Sequence, residues 1–148
     1  MKTVLVSACL LGVACRYDGK SVPCKELLEQ LGSFSVVPVC PEILGGLSTP
    51  RIPCERKGTK VISAQGVDTT PQYEKGAQET LRLAKLTRCQ AALLKERSPS
   101  CGCGQIYDGS FTKKLVQGDG VTAALLKQQG IAVFGESRFE EFLQWIQN

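Results

Sequence analysis

Three cysteines stand out among the eight of this 148-residue chain, which has no histidine. Cys9, Cys40 and Cys101 each lie where an apolar, strand-like run gives way to small or turn-forming residues. Eight cysteines are not expected to form a disulfide framework in a reducing compartment, which leaves metal ligands, nucleophiles and core thiols. The glycine- and proline-rich settings of these three indicate metal or sulfur chemistry.

The spacing of the thiols distinguishes between two kinds of metal site. A closed zinc site needs four nitrogen or sulfur ligands and usually pairs them as Cys-x-x-Cys, a spacing that is absent here. A cuboidal iron-sulfur cluster takes thiolates from distant segments and tolerates one iron without a cysteine. The sequence therefore favours a cluster whose open iron is a Lewis acid.

The other five cysteines divide into substitutes and plain thiols. Cys15, six residues after Cys9 and beside an arginine, is the first substitute should one of the three ligands be wrong, and Cys103 is the second. Free cysteine often packs as a small hydrophobe. That interpretation is favoured for Cys24, Cys54 and Cys89.

Three oxygen-bearing side chains lie beside the proposed ligands. Glu42, two residues after Cys40, could position or deprotonate a water, and it could equally be a turn carboxylate or helix cap. Ser98 and Ser100 could hydrogen-bond a ligand or only shape the turn around Pro99.

Two neighbouring segments carry weaker signals. Gly45-Gly46 followed by Arg51 could offer backbone donors and a guanidinium to an anion or a carbonyl oxygen, although a lone glycine pair is weak evidence. The charged run 95–97 is interpreted as a solvated shoulder.

Alternating strand-like and helix-like segments are predicted to position these groups. Strands are predicted at 3–10, 35–39, 91–94 and 131–134, and helices at 25–30, 71–88, 119–129 and 137–146. Between them, 45–70 is predicted to be a loop with a small hairpin and 104–115 to be irregular.

This alternation predicts one doubly wound, Rossmann-like α/β domain over residues 1–148. Parallel neighbours require crossover connections, so the sheet should be mostly parallel with helices on both faces. Ligands of such sheets bind beyond the carboxyl ends of the strands. The topology thus predicts that Cys9, Cys40 and Cys101 meet at one edge.

Composition narrows the choice of partners. The net charge of +4 is mild and the basic residues alternate with acidic ones, so no duplex nucleic acid is expected as a partner. No signal peptide and no apolar stretch of about 18 residues is evident, which predicts a soluble, cytoplasmic protein without a membrane partner.

Motifs along nearly the whole chain resemble a known family of small bacterial proteins, formerly of unknown function, whose characterised members are thiouracil desulfidases. The matching segments are Ser7-Ala8-Cys9-Leu10-Leu11-Gly12, Cys15-Arg16-Tyr17-Asp18-Gly19, Cys40-Pro41-Glu42, Gly45-Gly46-Leu47, Thr49-Pro50-Arg51, Lys95-Glu96, Ser98-Pro99-Ser100-Cys101-Gly102, Tyr107-Asp108-Gly109 and Gly118-Asp119-Gly120-Val121-Thr122. One departure is Cys54, where the family more often has a small apolar residue.

The resemblance implies a 4Fe-4S cluster held by three cysteines, with Cys9, Cys40 and Cys101 the best matches to the ligand motifs. It also implies active-site roles for Glu42 and the serine turn. The expected reaction is a non-redox desulfuration of a thiolated pyrimidine such as 2-thiouracil, with the sulfur taken by the open iron and water attacking the carbon. Cluster-assembly machinery is an expected partner.

Two alternatives stay open at this point. A metal-binding or redox-sensing module would use the same thiols without catalysis, and it would have no need of Glu42 in an accessible crevice. An enzyme that transfers sulfur on RNA would need a larger basic surface than this chain offers.

Overall fold

Four short parallel strands form the centre of the protein in a computed structural model that describes residues 1–148. They are β1 (Thr3–Ser7), β2 (Ser35–Val39), β5 (Ala91–Leu94) and β8 (Ala132–Gly135), in the order β2-β1-β5-β8. Two antiparallel hairpins are added, β3 (Cys54–Lys57) with β4 (Lys60–Ser63) and β6 (Gln105–Tyr107) with β7 (Leu115–Gln117). The helices are α1 (Lys25–Glu29), α2 (Pro41–Leu44), α3 (Thr70–Thr87), α4 (Val121–Gln128) and α5 (Phe139–Gln147).

Alternating side chains of the central strands enter two separate hydrophobic clusters. In β1, Val4 and Val6 point into one cluster and Leu5 into the other. The first cluster receives Phe142 of α5, and the second receives Leu81 of α3 together with residues of α4. This period of two is what a strand buried on both faces produces, and it confirms the prediction of a doubly wound sheet covered by helices on both faces.

The order of the strands locates the ligand-binding edge. The chain steps from β1 to β2 on one side and then continues on the other side through β5 and β8. The crossover therefore reverses between β1 and β5, and such a switch point opens a crevice at the carboxyl ends of the strands. No helix combines the length and the apolar character needed to cross a membrane.

Several predicted boundaries were wrong, for local physical reasons. β1 stops at Ser7, because Ala8–Leu11 turns into a short 3-10 helix that leaves the sheet. Residues 104–115 are not wholly irregular, since β6 and β7 pair there across a loop. The long helix was placed correctly to within a residue or two. The sequence pattern also predicts Leu86 on the apolar face of this helix, but that residue is 73% exposed.

Two predicted helix starts also need correction. Asp119 does not cap α4; its carboxylate instead accepts hydrogen bonds from the Gly104 N–H and the Lys127 ammonium. Ser137 belongs to a 3-10 turn before α5, and its hydroxyl donates to Glu96. In both places a longer-range polar contact competes with local capping.

Candidate functional site

A cavity of about 430 Å³ opens at the carboxyl ends of the central strands. Cys9 follows β1, Cys40 follows β2, and Cys101 lies in the loop after β5. All three cysteines line this cavity, as do Glu42, Ser98 and Ser100. The structure thus places all six sequence-predicted site residues together.

The three cysteines differ in how deeply they are buried. Cys9 is 7% exposed and Cys101 is 5% exposed, whereas Cys40 is half-buried. Burial raises the pKa of Cys9 to about 11, although the nearby Lys95 ammonium opposes the shift. Burial likewise raises the pKa of Cys101 to about 12. These thiols keep their protons at neutral pH, so binding a metal there must release them.

The donor set fits an iron-sulfur cluster better than a single ion. No three Cys, Asp or Glu side chains lie close enough together to hold one metal ion. A four-iron cube holds each thiolate on a different iron, so its ligands converge on a cavity instead of a point. Three thiols from three strand ends around one cavity have this arrangement.

The turn that carries Cys101 is shaped by its own serine. Ser98 Oγ accepts hydrogen bonds from the N–H groups of Ser100 at 3.1 Å and Cys101 at 3.0 Å. The carbonyls of Pro99 and Ser100 accept the first N–H groups of α4, which anchors the turn from behind. A serine turn held in this way presents Cys101 to the cavity with little freedom.

A directed hydrogen-bond chain connects the serines to Glu42. The two N–H groups occupy both lone pairs of Ser98 Oγ, so this oxygen can only donate its own hydrogen, to Ser100 Oγ at 2.9 Å or to Glu42 Oε2 at 3.4 Å. Ser100 Oγ then donates to Glu42 Oε2 at 3.0 Å. Both serine hydroxyls are therefore directed toward Glu42 Oε2, and the carboxylate stands at the accepting end.

Arg51 fixes the other oxygen of this carboxylate. Its Nε lies 2.9 Å from Glu42 Oε1, and the two side chains are only 7% and 12% exposed. The same guanidinium donates to the carbonyl oxygens of Cys15 and Ser48 and to the Thr49 hydroxyl. Burial by itself lowers the pKa of Arg51, but the Glu42 carboxylate outweighs it and raises that pKa above its ordinary value. Arg51 thus joins three segments of the cavity wall through one charge.

This arrangement corrects three expectations from the sequence. The Arg51 guanidinium is occupied by protein acceptors, so it does not wait for an external anion. The N–H groups of Gly45 and Gly46 close the last turn of α2 instead of facing a ligand. Glu42 accepts from side chains rather than from helix N–H groups, so it is not a helix cap.

Two residues of the charged run after β5, Lys95 and Glu96, are not a solvated shoulder, whereas Arg97 is exposed. The Lys95 ammonium is paired with Glu136 Oε1 at 2.7 Å, and the Glu96 carboxylate accepts from the Ser137 N–H. Both residues, with Arg97, line the cavity. Arg97 has a φ of 70°, a left-handed conformation that costs a non-glycine residue energy.

The β6–β7 hairpin forms the outer wall of the cavity. Tyr107, Phe111 and Lys113 line it, and the last two have φ values of 59° and 63°. Glu55 of β3 accepts the N–H groups of Gly109 and Phe111, both at 3.0 Å, and so ties one hairpin to the other. Backbone strain of this kind concentrates at ligand sites.

The remaining cysteines separate into two groups. Cys15 and Cys54 line the cavity, and the Cys40 thiol lies 3.7 Å from the Cys15 carbonyl oxygen. Cys24, Cys89 and Cys103 do not line it. Cys15 therefore stays the closest alternative ligand, and Cys54 is part of the site wall instead of a thiol packed elsewhere.

Sequence reasoning missed several residues of the cavity wall, among them Tyr73 near the start of α3. It lines the cavity and is only 2% exposed. The sequence does hold a signal: Tyr73 is the one aromatic polar side chain on the buried face of α3, and it lies in the first turn of that helix.

Comparisons with known proteins agree with the resemblance seen in the motifs. The family model described as 2-thiouracil desulfurase matches residues 4–138. The uncharacterized protein YbbK of Bacillus subtilis strain 168 is 43% identical over 150 residues, which cover 95% of this chain and 99% of YbbK. A solved structure of the 4Fe-4S-dependent thiouracil desulfidase TudS superimposes with a TM-score of 0.94 at 41% identity, over 99% of each chain.

Proposed function

Since this chain belongs to the 2-thiouracil desulfurase family, we propose that residues 1–148 act as one domain that removes the sulfur of a thiolated pyrimidine such as 2-thiouracil. The overall reaction is hydrolytic: the thiocarbonyl and water give a carbonyl and hydrogen sulfide, and no electrons are exchanged. The observation that carries this proposal is the shared cavity, where three thiols face a carboxylate at the end of a hydroxyl chain.

Cys9, Cys40 and Cys101 would hold a 4Fe-4S cluster and leave one iron without a cysteine. When bound, the cluster supplies a soft Lewis acid that can take up the sulfur of the substrate. Supply of the cluster by an assembly machinery belongs to the same proposal.

Glu42 is the proton acceptor in this proposal. The carboxylate takes the proton of the attacking water on a lone pair that Arg51 and Ser100 leave free. Ser98 cannot take that proton itself, because two backbone N–H groups already occupy the lone pairs of its oxygen. The serine hydroxyls instead hold the Glu42 carboxylate in place at the cavity wall.

Arg51 holds the carboxylate in place while this happens. It binds Oε1, so Oε2 is the oxygen left for the serine chain. A positioning contact of this kind keeps the acceptor within hydrogen-bond reach of the proton that it must take.

Anaerobic reconstitution tests the proposal. The protein should bind about four iron and four sulfide per chain, and with 2-thiouracil it should release uracil and sulfide in equal amounts over many turnovers. A protein with a full cluster that releases no sulfide would contradict the activity and support a metal-binding or sensing module.

Single replacements test the ligands. Cys9→Ser, Cys40→Ser and Cys101→Ser should each lose iron, whereas Cys24→Ser and Cys89→Ser, outside the cavity, serve as matched controls that keep it. If Cys15→Ser loses iron while one of the three does not, the ligand assignment is wrong.

A further inference from the structure

Ser7, the last residue of β1, places a buried hydroxyl beside the sulfur of Cys101. It opens the motif that carries Cys9, is only 2% exposed and lines the cavity. Its Oγ accepts the Lys95 N–H at 2.9 Å, which fixes the hydroxyl between β1 and the residue that follows β5. No oxygen in the structure accepts the hydrogen of this hydroxyl. The sulfur of Cys101 is the acceptor within its reach.

Two hydroxyls are hydrogen-bonded to the Cys101 sulfur, and they differ in what else they bind. Burial raises the pKa of Cys101, and the hydroxyls of Ser7 and Ser100 each oppose that rise through a hydrogen bond to the sulfur. Ser100 Oγ lies 3.6 Å from the sulfur, but its single hydrogen has a closer acceptor in Glu42 Oε2 at 3.0 Å. Ser7 has no such competing acceptor, so its hydrogen is the one that serves Cys101.

The other two proposed ligands receive no hydroxyl. The Cys40 thiol is itself a donor, to the Cys15 carbonyl oxygen at 3.7 Å, and this contact ends when the thiol loses its proton to bind a metal. No side-chain hydrogen bond reaches the sulfur of Cys9. Hydrogen bonds to the sulfurs of an iron-sulfur cluster help to set its reduction potential. The uneven distribution of donors therefore makes Cys101 the ligand through which the protein acts on the cluster.

We propose that Ser7 is a positioning residue for the cluster, and that its hydroxyl donates a hydrogen bond to the Cys101 thiolate that binds iron. This rests on the ligand assignment of the proposed function and adds a residue that touches neither substrate nor iron. The hydrogen bond draws electron density away from the sulfur, so Cys101 gives less charge to its iron. An added electron is then held more easily, which raises the reduction potential of the cluster. Outer contacts of this kind also increase the affinity of a site for its metal.

The test removes only the hydroxyl, by Ser7→Ala, in protein reconstituted anaerobically with its cluster. A redox titration followed by electron paramagnetic resonance should give a more negative midpoint potential than that of the wild type. Transfer of iron to a chelator should be about 10-fold faster, from the same initial iron content. Ser7→Thr keeps a hydroxyl and should restore both values. Alanine also leaves the Lys95 N–H without its acceptor, and a loss of stability from that cause alone would leave the potential unmoved.

Thr87→Val is the matched control, because it removes a hydroxyl that lies 3.2 Å from the sulfur of Cys89, a cysteine outside the cavity. It should leave the potential unchanged. The inference is overturned if Ser7→Ala fails to lower the potential, or if Thr87→Val lowers it equally. If Ser7→Ala takes up no iron, Ser7→Thr decides: a loaded threonine variant with the wild-type potential supports the inference, and any other result overturns it.

The proposed function fails separately from this inference. A wild-type protein that holds its cluster but releases no sulfide from 2-thiouracil would refute the activity alone, since the redox titration does not depend on turnover. A Cys101→Ser protein that keeps its full iron content would refute the ligand assignment, and the inference about Ser7 with it.

Discussion

Replacing Arg51 with methionine should destabilise the protein far more than the loss of a surface charge. Methionine keeps an unbranched chain but removes all four hydrogen bonds of the guanidinium, to Glu42, Cys15, Ser48 and Thr49. The Glu42 carboxylate would then remain buried without its counter-ion. Removing one partner of a buried ion pair costs about 3–5 kcal/mol. That is a large part of the free energy of unfolding of a domain of this kind, which is about 5–15 kcal/mol.

The assay is urea unfolding of the reduced, cluster-free protein, followed by the fluorescence of Trp145, the only tryptophan. Arg138→Met is the matched control, because the Arg138–Glu141 pair is more than half exposed and its loss should leave the urea midpoint nearly unchanged. Combining Arg51→Met with Glu42→Gln removes the stranded charge and should restore most of the lost stability. The reasoning is refuted if Arg51→Met costs less than about 1 kcal/mol, or if the double variant is no more stable than the single one.

Two further predictions concern the pH dependence of stability and the packing behind the site. Burial raises the pKa of Cys9 from 9.0 to about 11, so the folded cluster-free protein favours the protonated thiol. This contribution to stability is complete below about pH 9 and is lost as the pH rises toward about 11. The urea midpoint should therefore fall over that pH range, and it should fall less steeply for Cys9→Ala. Equal pH slopes of the urea midpoint in the two proteins would contradict this prediction. Gly76→Ala should lower the free energy of unfolding by more than about 1–3 kcal/mol, the usual cost of overpacking, because the new methyl would meet the Pro41 carbonyl oxygen. Gly32→Ala, in open space, is the control. A Gly76→Ala protein with a wild-type urea midpoint would show that α2 and α3 can move apart.

The convergence of the thiols could be predicted because it depends on topology alone. Once β1, β2 and β5 are parallel neighbours, residues that follow them must meet at one edge, whatever their exact positions. Cys9 and Cys40 lie within two residues of a strand end, so even the misplaced end of β1 did not matter.

The polar contacts of the site could not be predicted because each depends on side chains that are distant in sequence. Arg51 reaches Glu42 across a loop, and Ser100 reaches it across 58 residues of chain. Local patterns make Glu42 look like a helix cap, and only the tertiary structure shows which partner wins. Tyr73 was missed for the same reason, since an apolar stripe on a helix predicts core and does not show that one oxygen meets a cavity.

The replacement of Glu42 by glutamine is the most direct test of the central claim that this family member is a desulfidase whose carboxylate takes the proton of the attacking water. Glutamine preserves the shape of the side chain, so Glu42→Gln should still bind about four iron per chain. Sulfide release from 2-thiouracil, measured anaerobically on cluster-replete protein, should fall about 100- to 10,000-fold. A variant that keeps its cluster and turns over within about tenfold of the wild-type rate would contradict the role of Glu42 as the proton acceptor.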